Sequence, residues 1–160
     1  METLQLYSSA FEDGGWIPAR YTARQEDLSP PFELIGLHPD AKTLAITLDD
    51  ASHPIFPNYN HWVIWNLPVQ ASISEGIPHG KSLSSFGGAV QGIAYGRNRY
   101  KGPKPPLRSI HTYVFTIYVL NCTIHLSSSS KKQALLDQMD GHILQQASIL
   151  GKFQSHRAEV

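Results

Sequence analysis

Residues 101–120 read Lys101-Gly-Pro-Lys-Pro-Pro-Leu-Arg-Ser-Ile-His111-Thr-Tyr113, followed by Val-Phe-Thr-Ile-Tyr-Val-Leu120. Each proline fixes φ and removes a backbone donor, so the first part is neither helix nor central strand. The second part is dense in β-branched and aromatic residues, the composition of a buried strand. His111 stands where the stiff loop enters that strand. Loops held by a rigid scaffold often carry function, so the search for a site begins there.

Working outward, the chain is mostly extended. Thr43 to Leu48 reads as a strand closing on Asp49-Asp50, and His61 to Leu67 as the next, stopped by Pro68. Leu4 to Ser9 is a weaker strand that leads to the Asp13-Gly14-Gly15 turn. Ser29-Pro30-Pro31-Phe32-Glu33-Leu34 is extended, because a residue before proline is pushed out of the helical region. Ser72 to Gly92 is rich in Ser, Gly and His and predicts long irregular loops, whereas Val114 to His125 supplies the last strand or two.

Only the C-terminal part reads as helical. Ser127 to Ser130 offer an N-cap for a helix over Lys131 to Met139. Asp140-Gly141 interrupts it, and a second helical piece is expected over His142 to Leu150. Leu136, Met139, Ile143, Ala147 and Leu150 recur at spacings of three and four, one apolar face to lie against a sheet. Strands first, helix last and no βαβ alternation predict a single domain over residues 1–160, mainly β. The expected architecture is an antiparallel β-sandwich with a peripheral C-terminal helix.

Composition excludes several functions. Thirteen basic and thirteen acidic residues leave a formal net charge of zero. The cluster Arg97, Arg99, Lys101 and Lys104 reads as a solvated loop, so no nucleic-acid partner is expected. Cys122 is the only cysteine, which precludes an intramolecular disulfide and a cysteine-based metal site; it is expected to act as a small buried hydrophobe. No stretch is long and apolar enough to span a membrane, and the N-terminus lacks the pattern of a signal peptide. A soluble, cytoplasmic protein without a cofactor is the expectation.

Asp50 at the end of one strand and His61 at the start of the next match the position of His111. An aspartate at a strand end commonly serves its turn, and a strand histidine is commonly a half-buried hydrogen-bonded residue. Three such junctions at one end of a sandwich also make a pocket. An Asp with two His suits anion binding, but equally a hydrolase, as a metal-binding trio or an acid/base pair. The Gly-x-Ser-x-Gly pattern of a nucleophile elbow is absent. A third possibility is a protein-binding module that uses the loops from Ser72 to Gly92.

Several motifs, in order, carry a resemblance. They are Glu12-Asp-Gly-Gly-Trp-Ile-Pro18 with Tyr21-Thr22, Ser29-Pro30-Pro31-Phe32, Leu48-Asp49-Asp50-Ala51-Ser52-His53-Pro54, His61-Trp62-Val63-Ile64-Trp65-Asn66-Leu67-Pro68, and Tyr100-Lys101-Gly102-Pro103-Lys104-Pro105-Pro106 with His111-Thr112-Tyr113-Val114-Phe115. Together the chain resembles a prokaryotic-type member of the phosphatidylethanolamine-binding protein family, which includes the Raf kinase inhibitor proteins. In that register Asp50 falls on the first aspartate of an Asp-Pro-Asp-Ala-Pro motif, with Ala51, Ser52 and His53 replacing its next three residues. Leu107-Arg108 stands where a Lys-Gly usually follows the double proline, and Thr112 stands in place of an arginine.

The resemblance implies an anion-accepting pocket at one end of the sandwich, built here from Asp50, His61 and His111. Gly102 would let the ligand approach the backbone, and Pro105 and Pro106 would stiffen the wall. Asp50 is expected to keep one histidine cationic, with Tyr100 and Tyr113 nearby and Tyr113 read chiefly as core. Replacing either histidine by alanine is expected to weaken anion binding and leave the thermal midpoint nearly unchanged. The implied function is a binding protein rather than an enzyme, taking a phosphate-like head group and acting on a kinase or protease as inhibitor or scaffold. A homodimer is compatible with the resemblance.

Overall fold

The computed structural model describes residues 3–56 and 58–156. The first strands are β1 (Gln5–Tyr7), β2 (Gly15–Trp16), β3 (Phe32–Ile35), β4 (Thr43–Asp50) and β5 (Tyr59–Leu67). Short strands β6 (Ser72–Ile73), β7 (Ser82–Leu83) and β8 (Ala89–Gln91) follow, then β9 (Ile110–Leu120), helix α1 (Lys132–Met139) and β10 (Ile143–Gln154). Seven strands form one sheet in the order β2-β10-β9-β4-β5-β8-β7, and three form a second in the order β1-β3-β6. All pairings are antiparallel except β2 along β10.

The strand after the proline loop is the middle of the large sheet. In β9 the residues Tyr113, Phe115, Ile117 and Val119 enter one core, whereas Tyr118 and Leu120 enter another, as the period of two requires. The first core lies between the sheets, where Phe32 of β3 packs on Phe115 with ring centroids 5.3 Å apart. On the opposite face Leu135 and Met139 of α1 pack with Ala45, Val63, Trp65, Tyr118 and Leu120. With cover on both faces, β4 is buried at all eight positions.

One expected element changes type. Residues from Ile143 onward form β10, which pairs with β9 along almost its whole length, so the second helical piece over His142 to Leu150 is a strand. Gly141 takes φ +81°, ending the helix, and Ile149, Gly151 and Phe153 then alternate into the core. The spacing Leu136, Met139, Ile143, Ala147, Leu150 was compatible with a helix, but pairing with β9 satisfies the backbone and overrides it. The helix N-cap is Lys131 without a side-chain hydrogen bond, not one of the serines. Residues 19–21 form a 3-10 turn, and the region from Ser72 to Gly92 contains three short strands besides its loops. Cys122 is half-buried beside the second core.

Candidate functional site

Strand parity carries Asp50 and His111 to one end of the sandwich. Leu44, Ile46 and Leu48 face the core between the sheets, so Asp50 continues that face while Asp49 points the other way and binds Lys132 of α1 at 2.6 Å. Asp50 sits directly across from Tyr113 in the β4–β9 register, and His111 lies two residues farther along the same face of β9. His111 Nδ1 donates to Asp50 Oδ2 at 2.7 Å. The backbone N–H of Ser52 donates to Asp50 Oδ1 at 2.9 Å, and Ser52 Oγ accepts from Thr112 N at 2.9 Å. Ala51 and Ser52 thus rebuild by hydrogen bonds a turn that the family's motif stiffens with proline.

His61 arrives by a different device. Leu48 pairs with Trp62 but Asp49 pairs with Asn60, so His61 is an extra residue, a β-bulge in β5. The bulge lets His61 share a face with Trp62, and its ring meets Tyr113 edge-on at 5.5 Å and Tyr95 at 4.7 Å. Its Nδ1 donates to the carbonyl of Lys101 at 2.9 Å. Burial pushes the ring's pKa below its ordinary 6.5, against the opposing pull of the Lys101 carbonyl, the Asp50 carboxylate and the Gly102 backbone. Of the two histidines, His111 is therefore the one Asp50 touches, and His61 is held toward its neutral form.

Asp50, His61 and His111 line one cavity of about 140 Å³, together with His53, Pro54, Tyr95, Lys104, Pro105, Pro106 and Tyr113. Two polar atoms of these residues, His61 Nε2 and the Tyr113 hydroxyl, are buried with no full hydrogen bond among the described residues. Desolvation raises the pKa of Tyr113, with the Asp50 charge adding to it, so the phenol stays protonated and can donate. Arg24 Nη2 donates to the Pro105 carbonyl at 3.2 Å, holding the proline wall against the body of the domain. A wider hollow of about 450 Å³ adjoins the site, lined by Tyr59, Asn60, Tyr95 and the start of α1, but it contains none of the three predicted residues.

Other predicted residues fall elsewhere. Gly102 does not line the cavity: a Cβ there would collide with the Tyr21 carbonyl and meet Asp27 Oδ1 at 2.7 Å and the Tyr100 hydroxyl at 2.8 Å. Its glycine is required by close packing. Tyr100 is buried away from the cavity and donates to the Tyr21 carbonyl at 2.6 Å. Tyr113 belongs to the core and also lines the cavity. Sequence reasoning missed Tyr95, whose side chain reaches His61 from a turn at φ +52° after β8, and no local pattern marks it. Within the basic cluster, Arg99 pairs with Asp27 at 2.8 Å and the Lys101 ammonium lies 5.0 Å above the Tyr95 ring. Among the described residues no three His, Cys, Asp or Glu side chains are grouped to hold a metal ion, and no helix is long and apolar enough to cross a membrane.

Comparison with known proteins agrees with this architecture. The family model described as phosphatidylethanolamine-binding protein matches residues 7–154. A UPF0098 protein of Methanothermobacter thermautotrophicus is 36% identical over 153 residues, covering 94% of this chain and 99% of the relative. One from Pyrococcus abyssi is 35% identical over 155 residues, covering 96% and 86%. The crystal structure of CT736, a phosphatidylethanolamine-binding protein homologue from Chlamydia trachomatis, superposes with a TM-score of 0.84 at 30% identity, covering 97% of this chain and 99% of that one. Escherichia coli YbcL shares the fold with a TM-score of 0.83 at 20% identity, covering 96% and 99%.

Proposed function

The chain belongs to the phosphatidylethanolamine-binding protein family, and on that premise we propose that it is a binding protein whose pocket between Asp50, His61, His111 and Tyr113 takes a small oxyanion. The observation that carries this reading is the convergence of Asp50, His61, His111 and Tyr113 on one cavity, with His61 Nε2 and the Tyr113 hydroxyl buried and without a full hydrogen bond among the described residues. Buried polar atoms are overwhelmingly satisfied in folded proteins, and leaving one unpaired costs about 1–3 kcal/mol. A ligand that meets both removes that cost.

Size and charge support the same reading. About 140 Å³ suits one phosphate-sized group and falls below the roughly 300–1,000 Å³ of sites for drug-sized ligands. Lys104 is one of the lining residues, and the Tyr113 hydroxyl and His111 ring are groups able to hydrogen-bond an anion. A head group and a phosphorylated side chain of a protein partner present this same chemistry. Occupation by the latter would make the chain an inhibitor or scaffold for that partner, a kinase or protease included.

The Asp50–His111 pair also has the form of a general-base dyad. Against catalysis, no serine, threonine or cysteine is among the described residues lining the cavity. The test is calorimetric titration with inorganic phosphate. Saturable binding that weakens severalfold in Tyr113→Phe and more in His111→Asn supports the binding reading. Equal binding in both variants, or turnover of a phosphate monoester that His111→Asn abolishes, would overturn it.

A further inference from the structure

We propose that Tyr95 is a specificity-determining residue at the border between the small cavity and the hollow of about 450 Å³ beside it, and that the hollow takes the organic group of a phosphate ester, a flat apolar group best of all. This rests on the cavity being an anion site, and it adds where the rest of the ligand lies.

The backbone does not call for a tyrosine here. Ala94 and Arg97 form an isolated antiparallel bridge, each N–H donating to the other's carbonyl at 3.1 Å. Between them Tyr95 takes φ +52° and Gly96 φ +70°. Positive φ at both central residues is the pattern of a type I′ turn, which favours Asn-Gly or Gly-Gly. Gly96 suits the second position, but a bulky aromatic residue at the first is strained. Strain held at one residue beside a cavity points to a use for its side chain.

The position of the ring supplies that use. Tyr95 is 41% exposed, and among the described residues it alone lines both the cavity and the hollow. Its ring meets His61 of the cavity edge-on at 4.7 Å and Tyr59 of the hollow at 4.9 Å, the two phenol planes lying 60° apart. Tyr59 in turn stacks on His53 of the cavity at 4.8 Å. Two aromatic rings therefore stand where the two spaces meet. Ile93 and Ala94 extend the hollow's lining with apolar groups, and the Lys132 ammonium is already bound to Asp49 at 2.6 Å. A cavity of about 140 Å³ holds the phosphoryl group alone, so the rest of an ester must continue outside it. A second neighbouring hollow also shares Tyr95, but Arg97, Arg99 and Lys101 line it, and cationic walls do not suit an apolar group. Rings pack well on rings, edge-to-face or offset, so the pair of phenols favours an aromatic substituent over a methyl.

The experiment measures methyl phosphate and phenyl phosphate by calorimetry, at one pH and ionic strength, on the natural chain, Tyr95→Asn and Tyr59→Ala. Phenyl phosphate should bind the natural chain about fivefold more tightly than methyl phosphate, the size of one aromatic pair. That preference should vanish in Tyr95→Asn and shrink in Tyr59→Ala. Asparagine suits the turn better than tyrosine, so Tyr95→Asn should fold with a higher urea midpoint, which separates loss of the preference from loss of the fold. Equal affinity of the natural chain for the two esters overturns the subsite and leaves the anion site standing. A preference undiminished in both variants does the same, because the phenyl group then lies elsewhere. Binding of neither ester overturns both.

Discussion

His61 and Lys101 are joined twice: the ring Nδ1 donates to the Lys101 carbonyl at 2.9 Å, and the Lys101 N–H donates to the His61 carbonyl at 3.3 Å. The double link fastens the proline loop to the bulge in β5. It also gives His61 a structural role beside the ligand contact proposed for it.

That dual role has a pH signature. The folded-state pKa of His61 lies below 6.5, so the unfolded chain binds a proton that the folded chain resists. The stability contributed by the neutral ring is present above pH 6.5 and is lost as pH falls through the lowered folded value. Urea midpoints of the natural chain should drop between pH 7 and pH 5 more steeply than those of His61→Phe. Parallel profiles would show that the ring titrates freely in the fold.

His111→Ala should destabilise the domain, contrary to the expectation of an unchanged midpoint. His111 is 7% exposed and its partner Asp50 is 3% exposed, so removing the ring strands a buried carboxylate. Leaving a buried group without its hydrogen-bond partner costs about 1–3 kcal/mol. Adding Asp50→Asn should recover part of the loss, and denaturant unfolding of the two single variants and the double variant measures the coupling. Additive losses would mean the pair is not coupled.

Arg108 takes φ +70°, a left-handed conformation, at the position where the family usually has glycine. Arg108→Gly should therefore stabilise the chain by about 1 kcal/mol, while binding at the cavity stays the same. A lower urea midpoint would show that the arginine side chain contributes more than its backbone strain removes.

Gly102→Ala should cost about 1–3 kcal/mol, because the added carbon collides with the Tyr21 carbonyl and has no flexible neighbour to displace there. The Asp27 carboxylate, which holds both Gly102 N and Arg99, would shift with it. Thermal unfolding checks this, and an unchanged midpoint would mean the loop relaxes freely.

Truncation after Met139 removes β10, not a helix. The edge of β9 would then present unpaired backbone and an uncovered apolar face, a template for aggregation. Insoluble product on expression is expected, and a soluble, cooperatively folding 1–139 fragment would contradict the role given to β10.

Much of the site is legible in parity. Leu44, Ile46 and Leu48 place Asp50 on the core face, and Tyr113, Phe115, Ile117 and Val119 place His111 on the same one. His61 is not legible this way: strict alternation with Trp62 would send it to the opposite face, and only the extra residue in β5 returns it. Tyr95 carries no sequence signal, because it reaches His61 from a turn distant along the chain.

By itself the sequence determined the strand-rich body, the stiff loop feeding β9, and the face on which Asp50 and His111 lie. Those follow from local rules: proline geometry, β-branched composition and the period of two. The tertiary structure decided that residues 143–154 are a strand, that Gly102 serves packing, and that the His61 ring is fastened to the proline loop. Each of these depends on a partner far along the chain: β9 for the strand, Tyr21 for the glycine and the Lys101 carbonyl for the ring. No local propensity encodes such a partner.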